Sequence, residues 1–506
     1  MGIPSYYKKL CDSIPGLLSR TRKGKCTYMW IDFNCMIYHC LRRPGARPYE
    51  GPETQEAWEA QFIQSVCDYL EHLVKIVGPT AGVFVAVDGV VPMAKIRQQR
   101  LRRFKSLWTA AEELRLGKSS GGPRWDTNAI TPGTAFMEKL GTALHALAKR
   151  HPSWKISAAD EPGEGEQKVM EMMRKCDEKE GHVVYGLDAD LILLSLLRLR
   201  KGQEIYLFRE AVEFGEVQYV DGQEEYRYLS VPMLAGALKV DLLDYCMCMS
   251  FVGNDFLPHG LSLSLRNDGH AHILRMMKEV GPGLVHETDG WNSKKLHECL
   301  AWLAKHEEEF LLKGLQKKKR MQHLPAEGVG WEREYDEWFK TPLRSFDEKC
   351  LVYRFVDKDI VLRRDWQDVY YDRYLENNTL CEAEYIRGLH WIYCYYMGYT
   401  FSSEWMYPWH LPPTWKRLSS TISAKPLPFS SDISLKPQEQ LALVLPLASW
   451  PLIRDKTLSA LPTKNPALWP STFRLFMAGK RAIWECEALI PLFTPKRLRY
   501  LVSQIK

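Results

Sequence analysis

The sequence predicts an α/β protein: a mostly parallel β-sheet flanked by helices, with a mainly helical second region packed against it. Three observations predict it. Short β-branched and aromatic runs alternate with helical patterns through residue 260 or so, four of those runs close on an aspartate, and past residue 341 the chain turns to Trp- and Tyr-rich helical segments.

The runs are CTYMWID (26–32), GVFVAVD (82–88), WKISAAD (154–160), HVVYGLD (182–188) and EIYLF (204–208), separated by amphipathic stretches such as FMEKLGTALHALAKR (136–150). Parallel strands need crossovers long enough to hold a helix, and these spacings provide them. Ligands of open α/β sheets lie at the strands' carboxyl ends, so Asp32, Asp88, Asp160 and Asp188 are placed to meet at one edge. The first region is read as 1–265. Residues 266–340 form a charged helical connector, densest in KHEEEFLLKGLQKKKRMQ (305–322), which reads as a solvated helix or spacer. The second region, 341–506, carries a strong helical run, EAEYIRGLHWIYCYYMGY (382–399), and a Pro- and Ser-rich connector around 411–436.

Composition sets bounds on function. With 506 residues, 45% hydrophobic, 17 Trp and 24 Tyr, the chain can bury a large core. A formal charge of +6 is too small to hold a polyanion through the overall field, so any such binding needs local basic patches. The 13 cysteines, odd in number and without CxxC pairs, read as free thiols of a reducing compartment and argue against a zinc site. The first residues lack the pattern of a secretion signal, no apolar run approaches the roughly 18 residues of a membrane span, and position 6 is Tyr where myristoylation wants Ser or Thr. The expectation is a soluble intracellular protein without membrane contact, cytoplasmic ahead of nuclear.

The chemistry resides in acids. WIDFN holds Asp32, VAVDGVVP Asp88, PGEGEQK Glu164 and Glu166, YGLDADLILL Asp188 and Asp190, and FVGNDFLP Asp255. Any one of them has a structural explanation, because an Asp after a strand often caps the next helix. Gathered, seven carboxylates repel one another unless cations sit among them, and hard oxygen ligands select Mg²⁺ or Mn²⁺. Two such ions suit hydrolysis of a phosphodiester. Asp160 is kept outside this group. After Asp88, the helical stretch AKIRQQRLRRF (94–104) places Lys95, Gln99, Arg102 and Arg103 within one arc and Arg97 and Arg100 away from it. That face offers three cations and an amide, suited to a terminal phosphate; a solvated basic helix is the plainer alternative. Thr131, Pro132 and Thr134 in ITPGTAFM read as a helix cap, and Lys317–Arg320 as a solvated face.

The order MGIPSYYKKL, WIDFN, VAVDGVVPMAKIRQQRLRRF, ITPGTAFM, PGEGEQKVM, YGLDADLILLSL and FVGNDFLPHG resembles the XRN family of 5′→3′ exoribonucleases. The likeness resumes at GLHWIYCYYMGYTFSSEWMYPWH and at LFMAGKRAIWECEALIPLFTPKRL. It implies a nuclease domain of the PIN and flap-nuclease type and two divalent ions held by Asp32, Asp88, Glu164, Glu166, Asp188, Asp190 and Asp255. It further implies a 5′-monophosphate pocket at Lys95, Gln99, Arg102 and Arg103, and a base sandwich between Tyr38 and Trp405. At Tyr38 the family has His, and His39 comes one residue late. Gly2 and Pro4 resemble the family's packed N-terminus. The substrate implied is single-stranded RNA with a 5′-monophosphate, taken by a monomer, with no protein partner indicated. The chain stops soon after the second region, so a minimal form without zinc knuckle or further C-terminal domains is expected. Two rivals remain: a flap-type DNA nuclease, which needs a DNA-binding helical motif after the core, and a non-catalytic RNA-binding scaffold, which has no use for seven acids.

Overall fold

The computed structural model describes residues 6–118, 121–176, 181–186, 188–213, 216–321, 325–339, 347–356, 359–421, 429 and 435–505. Gly2, Pro4 and much of the Pro- and Ser-rich connector lie outside them. Seven strands form the main sheet: β1 (Leu18–Ser19), β2 (Tyr28–Asp32), β3 (Gly82–Ala86), β4 (Trp154–Ser157), β5 (His182–Tyr185), β6 (Ile205–Glu210) and β7 (Tyr226–Ser230), in the order β1-β7-β6-β5-β2-β3-β4. Strands β6, β5, β2, β3 and β4 run parallel, and β7 and β1 add an antiparallel edge. All five predicted runs are strands. Three of them stop earlier than the sequence suggested: Asp32 lies within its strand, whereas Asp88, Asp160 and Asp188 follow the last strand residues Ala86, Ser157 and Tyr185.

Alternation along the strands separates two cores. Met29, Ile31, Val83, Val85 and Val183 face one layer, with α2 (Asn34–Arg42), α3 (Gln55–Val77) and α5 (Ala135–Arg150). Trp30, Phe84, Val184 and Leu207 face a larger layer, with α1 (Tyr6–Ser13), α6 (Gly165–Met173), α7 (Asp190–Arg198), α8 (Val231–Leu238), α9 (Leu242–Cys248), α10 (Gly269–Val280), α11 (Ser293–Met321) and α14 (Cys381–Met397). The basic helix is α4 (Met93–Arg115); α12 (Trp331–Phe339), α13 (Trp366–Leu375), α15 (Trp415–Thr421) and α16 (Pro437–Val444) complete the elements used below. No helix of the described residues is long and apolar enough to cross a membrane.

The charged connector is not a solvated spacer. Within α11, Leu296, Leu300, Leu303, Phe310 and Leu315 recur at helical spacing and are all buried, and most of the charges occupy the remaining arc. The basic run at its end also departs from expectation. Lys318 is buried and pairs with Glu348 at 2.9 Å, and Lys317 Nζ donates to the Arg266 carbonyl at 2.7 Å. The helix predicted over 382–399 is α14, which ends at Met397 because Gly398 takes the left-handed conformation, φ 79°, and donates to the Cys394 carbonyl. Thr134 caps α5, accepting from Met137 N at 3.3 Å, as the simpler reading expected.

Candidate active site

The parallel strands direct their carboxyl ends to one edge, where β2 lies between β5 and β3, and the acids collect there. Asp32 closes β2. Asp88 follows β3, where its amide donates to Asn34 Oδ1 at 3.1 Å and its Oδ1 accepts from Gly165 N at 2.7 Å. The glycine is required: a Cβ on Gly165 would lie 2.5 Å from Asp32 Oδ1 and 2.8 Å from the Ala86 carbonyl. Glu164 immediately precedes α6 and Glu166 sits in its first turn, where the positive helix end favours carboxylates. Asp188 follows β5, Asp190 opens α7, and Asp255 arrives from the loop after the short helix Met249–Val252. The structure thus brings all seven predicted acids to one place and leaves Asp160 exposed outside it.

Crowding is visible in their protonation. Burial, then repulsion from Asp88 and Asp188, raises Asp32 well above the usual carboxylate range, and burial with Glu164 beside it does the same to Glu166. Asp190 is pushed up to about 7 by burial and by Asp255. Lys95 is the counter-charge: its ammonium lies 2.5 Å from Glu164 Oε2 and 2.8 Å from Asp255 Oδ2. Attraction to those two acids outweighs burial and keeps Lys95 protonated, while Lys95 in turn holds Asp255 below its ordinary value despite burial.

Divalent cations fit the donor set. The ligands are all oxygen, and Glu166 Oε1 and Asp190 Oδ1 are buried without a hydrogen-bond partner. Geometry is less complete: among the described residues no three His, Cys, Asp or Glu side chains close on one point, and the Lys95 ammonium lies between two of the acids. The donor chemistry therefore suits the implied ions, and in this structure the Lys95 ammonium pairs with two of the acids that would hold them.

Along α4, Lys95 bonds to Glu164 and Asp255 and the Arg102 guanidinium acts on Asp188, while Gln99 and Arg103 share their helical arc. Gln99 Oε1 and Arg103 Nε and Nη1 are buried without partners. The residues assigned elsewhere go elsewhere: Arg97 donates to the Trp409 carbonyl at 2.9 Å, and Arg100 to the carbonyls of Leu443 (2.7 Å), Pro491 (3.2 Å) and Leu468. Of the two rings expected to sandwich a base, Tyr38 is half-buried, with the Arg42 guanidinium 5.6 Å from its centroid. Trp405 is only 6% exposed, donates its indole N–H to Glu384 Oε2 at 2.9 Å, and lies 5.4 Å from Trp391; no contact joins it to Tyr38. Stacking a base on Trp405 therefore needs a face that its neighbours now cover. His39 cannot replace Tyr38, because it stacks on Tyr69 and pairs with Glu224 at 3.1 Å.

Sequence reasoning missed three residues that hold this site. Asn34 orients Asp88, and its place two residues after Asp32 in WIDFN was the available signal. Lys168, one helical turn beyond Glu164, donates to the carbonyls of Val87 (2.8 Å) and Ala158 (3.0 Å), tying the ends of β3 and β4 together. Tyr395, from α14, donates to Glu164 Oε1 at 2.5 Å; nothing in the run YCYYMGY singles it out.

Fold and site together define a PIN-like α/β domain whose sheet edge carries an acidic cluster, completed by a helical second region. Two family models match the chain: XRN 5'-3' exonuclease N-terminus over residues 1–211 and Xrn1 helical domain over residues 362–506. Together they take in more than half of its length, and this chain belongs to the XRN family. It is 28% identical to 5'-3' exoribonuclease 1 of Homo sapiens, over 98% of this chain and 34% of that protein. It is 25% identical to 5'-3' exoribonuclease 1 of Schizosaccharomyces pombe, over 98% of this chain and 48% of that protein. With 5'-3' exoribonuclease 2 of Schizosaccharomyces pombe the identity is 33%, over 48% of this chain and 30% of that protein. The chain therefore spans less than half the length of these curated relatives.

Proposed function

We propose that the chain is a 5′→3′ exoribonuclease that removes mononucleotides processively from single-stranded RNA bearing a 5′-monophosphate. The observation that carries this reading is the adjacency of the seven-acid cluster to the Lys95, Gln99, Arg102 and Arg103 face of α4, where buried donors on Arg103 lack partners. A phosphate there accepts charge-assisted hydrogen bonds and fixes where the chain ends, so the next phosphodiester lies over the acids. Two Mg²⁺ or Mn²⁺ ions held by the seven carboxylates would activate water and stabilise the leaving oxygen of an in-line displacement. Lys95 joins the two parts, since it bonds to Glu164 and Asp255 and stands on the arc proposed for the phosphate. Tyr38, with a ring not fully covered, stacks the first base whatever its identity, which stepwise degradation requires. A pocket at that face sized for a monophosphate would exclude a cap by its bulk. None of the 13 cysteines is in a disulfide, which supports a reducing intracellular location, the cytoplasm by this reading.

The test offers end-labelled RNA carrying a 5′-phosphate, a 5′-hydroxyl or a cap, with Mg²⁺, to the wild type and to Asp188→Asn. Mononucleotides released only from the monophosphate substrate, and none by the variant, are expected. Internal cuts on branched DNA would replace this reading with a flap nuclease, and RNA binding without cleavage with a scaffold.

A further inference from the structure

The second region reaches the acidic cluster through a tyrosine. Tyr395 lies on α14, 231 residues from Glu164 in sequence, yet its hydroxyl donates to Glu164 Oε1 at 2.5 Å while Lys95 takes the other oxygen, Oε2, at 2.5 Å. The two oxygens of this carboxylate are thus held by different elements, one by α4 and one by α14. The ring cannot easily move. It stacks on Trp391 with centroids 4.8 Å apart and meets Phe256 and Phe401 edge-on at 5.3 and 5.0 Å, and the residue is 3% exposed. A phenol is protonated at neutral pH and remains a donor to the carboxylate. Its neighbour Tyr396 is also buried, with its hydroxyl unpartnered and Asp190, Glu166 and Asp255 as its charged surroundings.

We propose that Tyr395 is a positioning residue: it holds the Glu164 carboxylate in the orientation in which the acidic cluster receives a divalent cation, and so makes that cluster depend on the second region. The inference rests on the cation-dependent reading above. A carboxylate free to rotate loses part of its time in non-binding orientations, and partners that orient a metal ligand are worth about 10–100-fold in affinity or rate. Removing the hydroxyl leaves the packed ring, so the fold is spared.

The experiment compares the intact wild-type chain with Tyr395→Phe and with Tyr385→Phe, a control on the same helix whose buried hydroxyl bonds to nothing and faces Tyr407 and Trp415. Mn²⁺ binding is measured without RNA by electron paramagnetic resonance, and kcat and KM on 5′-monophosphorylated RNA, with melting temperature alongside. For Tyr395→Phe a roughly tenfold or greater loss of Mn²⁺ affinity and a 10–100-fold fall in kcat are expected, with KM nearly unchanged. Tyr385→Phe should match the wild type in both. Wild-type Mn²⁺ affinity and kcat in Tyr395→Phe, a change in KM alone, or the same losses in Tyr385→Phe would overturn the role. A wild type that binds Mn²⁺ without degrading RNA, weakened by Tyr395→Phe, would overturn the exonuclease reading and leave Tyr395 in place. A wild type that binds no Mn²⁺ would overturn both.

Discussion

Single atoms decide much at this site. Gly165 is needed because the α6 backbone approaches Asp32 and the β3 carbonyl too closely for any side chain, so Gly165→Ala must displace either the helix or the acid. The expected outcome is loss of RNA hydrolysis with destabilisation of about 1–3 kcal/mol, read by urea denaturation. Arg103 makes a different prediction. Its buried donors lack partners, so Arg103→Ala should raise KM for 5′-monophosphorylated RNA in steady-state kinetics. His182 gives a pH signature: burial lowers it to about 4, and Trp30 Nε1 donates to its Nδ1 at 3.1 Å, which requires the neutral ring. Its folded pKa lies below the unfolded value, so its contribution is full above about pH 6.5 and is lost as pH falls toward 4, up to roughly 3 kcal/mol. His182→Gln, measured by urea denaturation at pH 5 and 7.5, should be less sensitive to acid than the wild type.

At the scale of elements, α4 and α11 carry opposite lessons. On α4 the helical wheel alone separated the arc of Lys95, Gln99, Arg102 and Arg103 from Arg97 and Arg100, because 100° per residue fixes which side chains share a face. The wheel did not say that Arg100 would be buried and bonded to carbonyls of the second region, since that depends on what packs against the face. On α11 charge density suggested solvent, yet an apolar stripe drives the helix into the core and takes Lys318 with it. Removing that ammonium leaves Glu348 charged and buried at 2% exposure. Lys318→Met should therefore cost about 3–5 kcal/mol, and Lys318→Met with Glu348→Leu should recover much of it, measured by equilibrium denaturation.

Shared hydrophobic clusters join the two regions. The larger hydrophobic cluster runs from Tyr6 through the sheet and α11 to Trp391, Trp405 and Trp415, and α4 packs Ile96, Leu101 and Phe104 on Leu441, Val444 and Leu498. Residues 1–265 expressed alone should then lack a cooperative thermal transition and bind a hydrophobic dye, whereas the full chain should melt in a single calorimetric step. By itself the sequence determined the strand and helix alternation, the carboxyl-edge placement of the acids and the two faces of α4. These follow from local periodicity and from the parallel sheet's fixed polarity. Only the tertiary structure decided that Lys95 sits among the acids, that Trp405 turns into the core, that the charged connector is a core layer, and that Tyr395 reaches Glu164 from the far region. Each depends on contacts between segments distant in the chain, which no local pattern encodes.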